Sequence, residues 1–123
     1  MPKPLVLVVE DEILIRLNAI VMLREAGFDT VEAASADEAI VHLETNNLIR
    51  IVFTDIDLPG SMDGLRLAAA IRDRWPPIEL VLTSGHVRVA EHDIPARGQF
   101  LPKPYSSEQL IQTMRSFSGS SSA

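Results

Sequence analysis

The chain has 123 residues, 46% of them hydrophobic, a formal net charge of −6 and no cysteine. This is the size of one ordinary domain with a single core, and the composition excludes a disulfide framework, a thiolate metal site and a cysteine nucleophile. The acidic balance argues against general affinity for nucleic acid or anionic membrane.

No apolar run approaches transmembrane length, and "MPKPLVLVVEDE" lacks a cleavable signal pattern. The expected location is therefore cytoplasmic. "PLVLVV" (4–9) is apolar on both faces, as suits a central parallel strand covered on both sides. "ILIRLNAIVMLREA" (13–26) follows, with Ile13, Leu14, Leu17, Ile20, Val21 and Met22 or Leu23 at helical spacing and Gly27 to close it. "FDTVEAA" is a second strand. Ser35, with Glu38 three residues on, is a capping-box pattern that opens a second helix over "ADEAIVHLETN". "IRIVFTD" (49–55) is a third strand and again ends in an acid. "LPGSMDG" is turn chemistry, "GLRLAAAIRDRW" is helical until Pro76 and Pro77 stop it, and "IELVLTS" (78–84) is a fourth strand. Residues 86–97, "HVRVAEHDIPAR", are few and carry Pro95, which leaves room for a helix of a turn or two. "GQFLPKP" holds a short fifth strand. "SSEQLIQTMRSF" is the last helix, with Ser106 or Ser107 as cap, and "SGSSSA" reads as a flexible tail.

The β-α alternation predicts a doubly wound parallel sheet with helices on both faces. In such a sheet the functional crevice lies at the carboxyl ends of the strands. Strand one ends there at Glu10 and Asp11, strand three at Asp55, strand four at Thr83-Ser84-Gly85 and strand five at Lys103. Crowded carboxylates raise each other's proton affinity and strain the fold. A hard divalent cation relieves that repulsion, and Mg²⁺ in particular takes one or two carboxylates and fills its shell with water and phosphate oxygens. A lysine opposite supplies a second positive charge and a Ser or Thr hydroxyl a donor. The pocket suits phosphoryl transfer to a carboxylate, with one Asp as nucleophile. Each of these residues alone has a simpler reading: an acid after a strand favours a helix N-terminus, as Glu12 does, and a lone lysine or serine is ordinarily solvated or capping. The weight rests on their coincidence.

The motifs "VVEDE", "FTDIDLPG", "MDG", "LTSG" and "LPKP", in that order, make the chain resemble a receiver domain of the two-component response regulators over residues 4–117. The resemblance implies a flavodoxin-like five-stranded parallel sheet in the order 2-1-3-4-5 with a shortened fourth helix, the domain covering residues 1–118 and a tail 119–123. It implies a phosphorylation-dependent switch rather than a turnover enzyme, with Mg²⁺ as cofactor and a histidine kinase or phosphotransfer protein as donor. It also implies an output partner of undefined class, and leaves room for a homodimer. By the same motifs Asp55 matches the phosphoacceptor, Asp11 the direct metal ligand, Glu10 a water-mediated one, and Asp57 the backbone carbonyl that completes the metal shell. Ser84, followed by the small Gly85, matches the switch hydroxyl. Lys103 matches the lysine that faces the phosphoacceptor, with Pro104 as its cis-peptide partner, and Phe100 the switch aromatic. The chain departs from the family in two respects, the short interval from Ser84 to Lys103 and the missing hydroxyl at Phe100, and Asp57 places a further negative side chain beside the phosphoryl site, where it is expected to affect the lifetime of the phosphorylated state. The first of these, with "LTSGH" and "LPKPY", is similar to receivers attached to hybrid histidine kinases, so a receiver belonging to a longer protein is expected alongside the stand-alone form. A haloacid-dehalogenase-type phosphohydrolase would place its "DxDx[TV]" after strand one, whereas "DID" (55–57) follows strand three. A flavin carrier would need a hydroxyl- and glycine-rich loop where "VEDEIL" stands.

Overall fold

A computed structural model describes residues 3–85, 94, 95 and 97–121, with side chains through Phe117. The expected short helix over 86–97 falls largely outside the described residues. In chain order the elements are β1 (Leu5–Val9), α1 (Ile13–Glu25), β2 (Asp29–Ala33), α2 (Ala36–Thr45), β3 (Ile49–Asp55), α3 (Gly64–Arg74), β4 (Glu79–Ser84), β5 (Gly98–Pro102) and α4 (Ser107–Ser121). The five strands form one sheet in the order β2-β1-β3-β4-β5, and every neighbouring pair is parallel.

Alternation along the strands splits the core into two layers. Leu7, Val9, Val52, Leu80 and Leu82 pack with Ala39, Leu43, Leu67 and Ile71, under α2 and α3. Val6, Val8, Phe53, Val81 and Leu101 pack with Ala19, Ile20, Leu23, Leu110 and Met114, under α1 and α4.

The helix ends follow from local chemistry. Gly27, at φ +99°, lets the chain turn after α1, and Phe28 N–H and Gly27 N–H donate to Leu23 O and Arg24 O, the paired bonds of a Schellman ending. Ser35 caps α2 by accepting from Glu38 N–H at 3.2 Å, and Glu38 in return accepts from Ala34 N–H at 2.9 Å. Ser106 is the cap of α4, in a reciprocal pair with Gln109. Asp63 caps α3 through Arg66 N–H at 2.9 Å.

Two expectations change. Of the apolar stripe expected on α1, Ile20 and Leu23 are buried, together with Ala19, but Ile13, Leu14, Leu17 and Val21 are 44–78% exposed. Apolar residues surround most of this helix, so spacing alone does not select the buried side. The last helix continues to Ser121, beyond Phe117 and into the segment read as a tail. Serine and glycine are weak helix formers, but "SGSS" holds no proline, which alone would remove an N–H and clash with the preceding turn.

Candidate functional site at the carboxyl end of the sheet

Parallel pairing brings the ends of β1, β3, β4 and β5 to one rim. All the buried polar or charged residues among those described, Glu10, Thr54, Asp55, Thr83 and Ser84, lie at the carboxyl ends of β1, β3 and β4. The predicted acids converge: carboxylate oxygens of Glu10, Asp11 and Asp55 lie within 4.8 Å of one another. Asp11 is exposed, and the other two are buried. This all-oxygen donor set fits a hard divalent cation.

Lys103 reaches into the cluster. Its Nζ donates to Asp55 Oδ2 at 2.8 Å and to Glu10 Oε1 at 3.0 Å. The backbone N–H of Lys103 donates to Ser84 O at 3.1 Å, which ties the lysine to the end of β4; the Lys103–Pro104 peptide is cis. Burial pulls the ammonium down, but the hydrogen bonds it donates to Asp55 and Glu10 outweigh it and hold Lys103 above the ordinary lysine range. Glu10 responds in the opposite sense. Burial pushes its carboxyl up to about 7, and the Asp55 charge adds to this, against the pull of Glu12 N–H and Lys103. Desolvation of Glu10 thus exceeds what its partners return.

The β3 end is set by backbone contacts. Asp57 N–H donates to Asp55 Oδ1 at 3.0 Å. Ile56 N–H donates to Thr83 O at 2.8 Å, and Gly64 N–H to Ile56 O at 2.9 Å. A Cβ on Gly64 would lie 2.1 Å from Asp55 O, so only glycine lets the first turn of α3 approach this closely. The "MDG" motif therefore combines a helix cap with a point of close contact beneath the acidic pocket.

Ser84 is buried, and its Oγ donates to Asp57 Oδ2 at 2.7 Å. Neighbouring Thr83 has a buried hydroxyl with no hydrogen-bond partner among the described residues. Phe100 is half-buried on β5 and packs on the layer under α2 and α3. A groove of about 770 Å³ adjoins the cluster, lined by Leu14, Ile15, Asn18, Lys103, Pro104 and Tyr105 among others.

Three features escaped sequence reasoning. Arg16 Nη1 donates to Glu10 O at 2.8 Å while its Nε pairs with Glu32 at 2.8 Å, tying the acidic loop to β2. A lone cation early in the apolar run "ILIRLNA" was the available signal. Tyr105 sets its ring edge-on to Phe53 at 5.6 Å beneath the pocket, and burial pushes its hydroxyl up to about 12. The Ser84–Asp57 bond joins residues 27 positions apart and left no local pattern.

The sequence matches the family model of the response regulator receiver domain over residues 6–115. It is 36% identical over 114 residues to the sensor kinase CckA of Brucella abortus, covering 89% of this chain and 12% of that protein. It is 33% identical over 120 residues to the C4-dicarboxylate transport transcriptional regulatory protein DctD of Rhizobium meliloti, covering 91% of this chain and 25% of that one. The chain thus spans a quarter or less of the length of these curated relatives. The crystal structure of a response regulator receiver protein from Pseudomonas putida superposes with a TM-score of 0.83 at 30% identity, covering 94% of this chain and 98% of that one. The chain belongs to the response regulator receiver domains of two-component systems, a family whose general function is phosphorylation-dependent signalling.

Proposed function

We propose that this domain accepts a phosphoryl group on Asp55 from a phosphohistidine donor and thereby changes its affinity for an output partner. The observation that carries the reading is the bridge of Lys103 Nζ across Asp55 and Glu10 inside the three-acid cluster. A carboxylate oxygen of Asp55 forms the bond to phosphorus as the P–N bond to the donor imidazole breaks. The electron pair stays on that ring nitrogen, which takes a proton from water. Lys103 moves its charge-assisted contact from the Asp55 carboxylate to a phosphoryl oxygen. Glu10, Asp11, Asp55 and the Asp57 backbone carbonyl are the groups that would hold Mg²⁺, which when bound neutralises charge on the transferred group.

Ser84 and Phe100 carry the response to the surface. The groove beside Lys103 gives the donor imidazole its approach. On this reading the domain promotes only its own phosphorylation and hydrolysis, in the cytoplasm, and does not itself contact nucleic acid. Among the described residues no helix is long and apolar enough to cross a membrane. The output partner is a protein, or a second copy of this chain.

Intact-mass measurement after treatment with acetyl phosphate and Mg²⁺ tests the assignment. Wild type gains one phosphoryl group and Asp55→Asn gains none. Equal gain in Asp55→Asn overturns it.

A further inference from the structure

The contact between Ser84 and Asp57 has no role in the transfer chemistry, yet it engages the hydroxyl assigned to the switch. At 2.7 Å it has the length of a hydroxyl donating to a charged oxygen. A serine hydroxyl has a single proton to donate. While that proton points at Asp57 Oδ2, it cannot point at a group on Asp55. The two ends of the contact are fixed independently of it. Asp57 N–H is tied to Asp55 Oδ1 at 3.0 Å, and Ser84 O accepts from Lys103 N–H at 3.1 Å. A change of acceptor by this hydroxyl is a rotation about the Ser84 χ1.

We propose that Asp57 is a positioning residue that latches Ser84 in the resting state, so that phosphorylation must win the hydroxyl from a competing carboxylate. The inference rests on the reading of Asp55 as phosphoacceptor. The competition is shallow, because Asp57 is exposed and water replaces the lost donor when Ser84 leaves. The latch thus lowers affinity for the phosphoryl group and shortens the lifetime of the switched state without blocking either. It also accounts for what a fourth acid does at this position: it acts through a hydrogen bond to the switch residue, rather than through charge alone.

A double-mutant cycle separates the two effects. Beryllofluoride serves as the phosphoryl probe, titrated by NMR at saturating Mg²⁺ into wild type, Asp57→Ala, Asp57→Asn, Ser84→Ala and the Asp57→Ala/Ser84→Ala double variant. Asp57→Ala is expected to bind about tenfold more tightly than wild type, the equivalent of one net hydrogen bond. Asp57→Asn falls between the two, because its amide oxygen still accepts from Ser84 without the charge. With Ser84→Ala already in place, Asp57→Ala changes affinity less than about twofold, since the latched hydroxyl is gone. An equal gain in both backgrounds overturns the latch in favour of simple charge repulsion. Unchanged or weaker binding in Asp57→Ala overturns it outright. Failure of wild type itself to bind beryllofluoride with Mg²⁺ removes the phosphoacceptor reading and this inference with it, an outcome distinct from the others.

Discussion

The two ends of the sheet use charge in opposite ways. At the amino end, a hollow of about 580 Å³ is lined by Lys3, Leu5, Asp29, Leu48, Arg50 and Glu79 among others. Lys3, Asp29 and Arg50 are exposed there, and Glu79, 18% exposed at its side chain, pairs with Arg97, which is 56% exposed. At the carboxyl end, Glu10 and Asp55 are 6% exposed at their side chains, and Lys103, the cation between them, is 19% exposed. The amino end solvates its charges and spreads them; the carboxyl end desolvates them and sets like beside like. Concentrated, water-poor charge is what sets the carboxyl end apart, because it costs stability and persists where chemistry uses it.

The largest effect expected from breaking this arrangement is steric. Gly64→Ala would force a Cβ into Asp55 O and the Ile56 backbone. The strand end or the helix start must then move, at about 3 kcal/mol of stability. Gly60→Ala is the control. That glycine lies at φ +96° with nothing within 4 Å of an added Cβ, so only the backbone conformation opposes the change, at about 1 kcal/mol. Urea melts of both variants check the difference, and equal losses would mean that the closeness of α3 to the acidic pocket is not what demands glycine.

The second effect is on pH dependence, and its sign follows from Glu10. Its carboxyl sits at about 7 in the fold, against 4.5 for an unperturbed glutamate, chiefly because it is buried. Between those values the folded state binds more protons than the unfolded one, so apo stability falls as pH rises from about 4.5 to 7, by up to about 3 kcal/mol. Lys103 remains charged throughout that window. Glu10→Gln should flatten this slope in EDTA, whereas Glu79→Gln at the amino end should leave it in place. A wild-type slope that survives Glu10→Gln would assign the proton to another group.

Lys103→Met sharpens the comparison between ion pairs. Removing the cation leaves two buried carboxylates facing each other, and with Lys103 partly exposed a loss of about 2 kcal/mol is expected. Arg97→Met breaks a pair whose cation is 56% exposed and should cost about 0.5 kcal/mol. Lys103→Met should stay folded yet lose the beryllofluoride-induced NMR shifts at Ser84 and Phe100. Wild-type shifts in that variant would defeat its proposed role in coupling.

Much of this organisation is local, and what is local could be read from the sequence. The bounds of β3 were predicted to the residue, and β1 and β4 to within one, because short apolar runs with an acid or a turn at the end allow few alternatives. The acids and Lys103 were legible for a related reason: each directly follows a strand, and the parallel topology then brings strand ends together. What was not legible depends on partners far along the chain. The buried side of α1 is chosen by the β1 and α4 residues it packs with, such as Val6, Val8 and Leu110, not by its own spacing. Asp57 reads as an added charge in the sequence, but its bond to Ser84 runs from the loop after β3 to the end of β4, and Gly64 reads as turn chemistry although its reason is the carbonyl of Asp55.

The smallest expected effect is the most direct test of like charge against like. Asp11 is the exposed member of the three-acid cluster, so neutralising it removes repulsion without emptying a buried site. Most substitutions destabilise; Asp11→Asn should instead stabilise the protein in EDTA, by about 1 kcal/mol for one like-charge contact at partial exposure, and so raise its melting temperature. The same change should remove the stabilisation that millimolar Mg²⁺ gives wild type, because ligand binding to the native state supplies that increment. Asp29→Asn is the counterpart at the amino end. Asp29 shares its hollow with Lys3 and Arg50, so losing its charge should bring no gain in EDTA and leave the Mg²⁺ response unchanged. Thermal melts of the three proteins, with EDTA and with Mg²⁺, decide the matter. If Asp11→Asn melts lower in EDTA and still responds to Mg²⁺ like wild type, the carboxylates at the sheet's carboxyl end do not act as a metal cluster, and the contrast between the two ends loses its functional meaning.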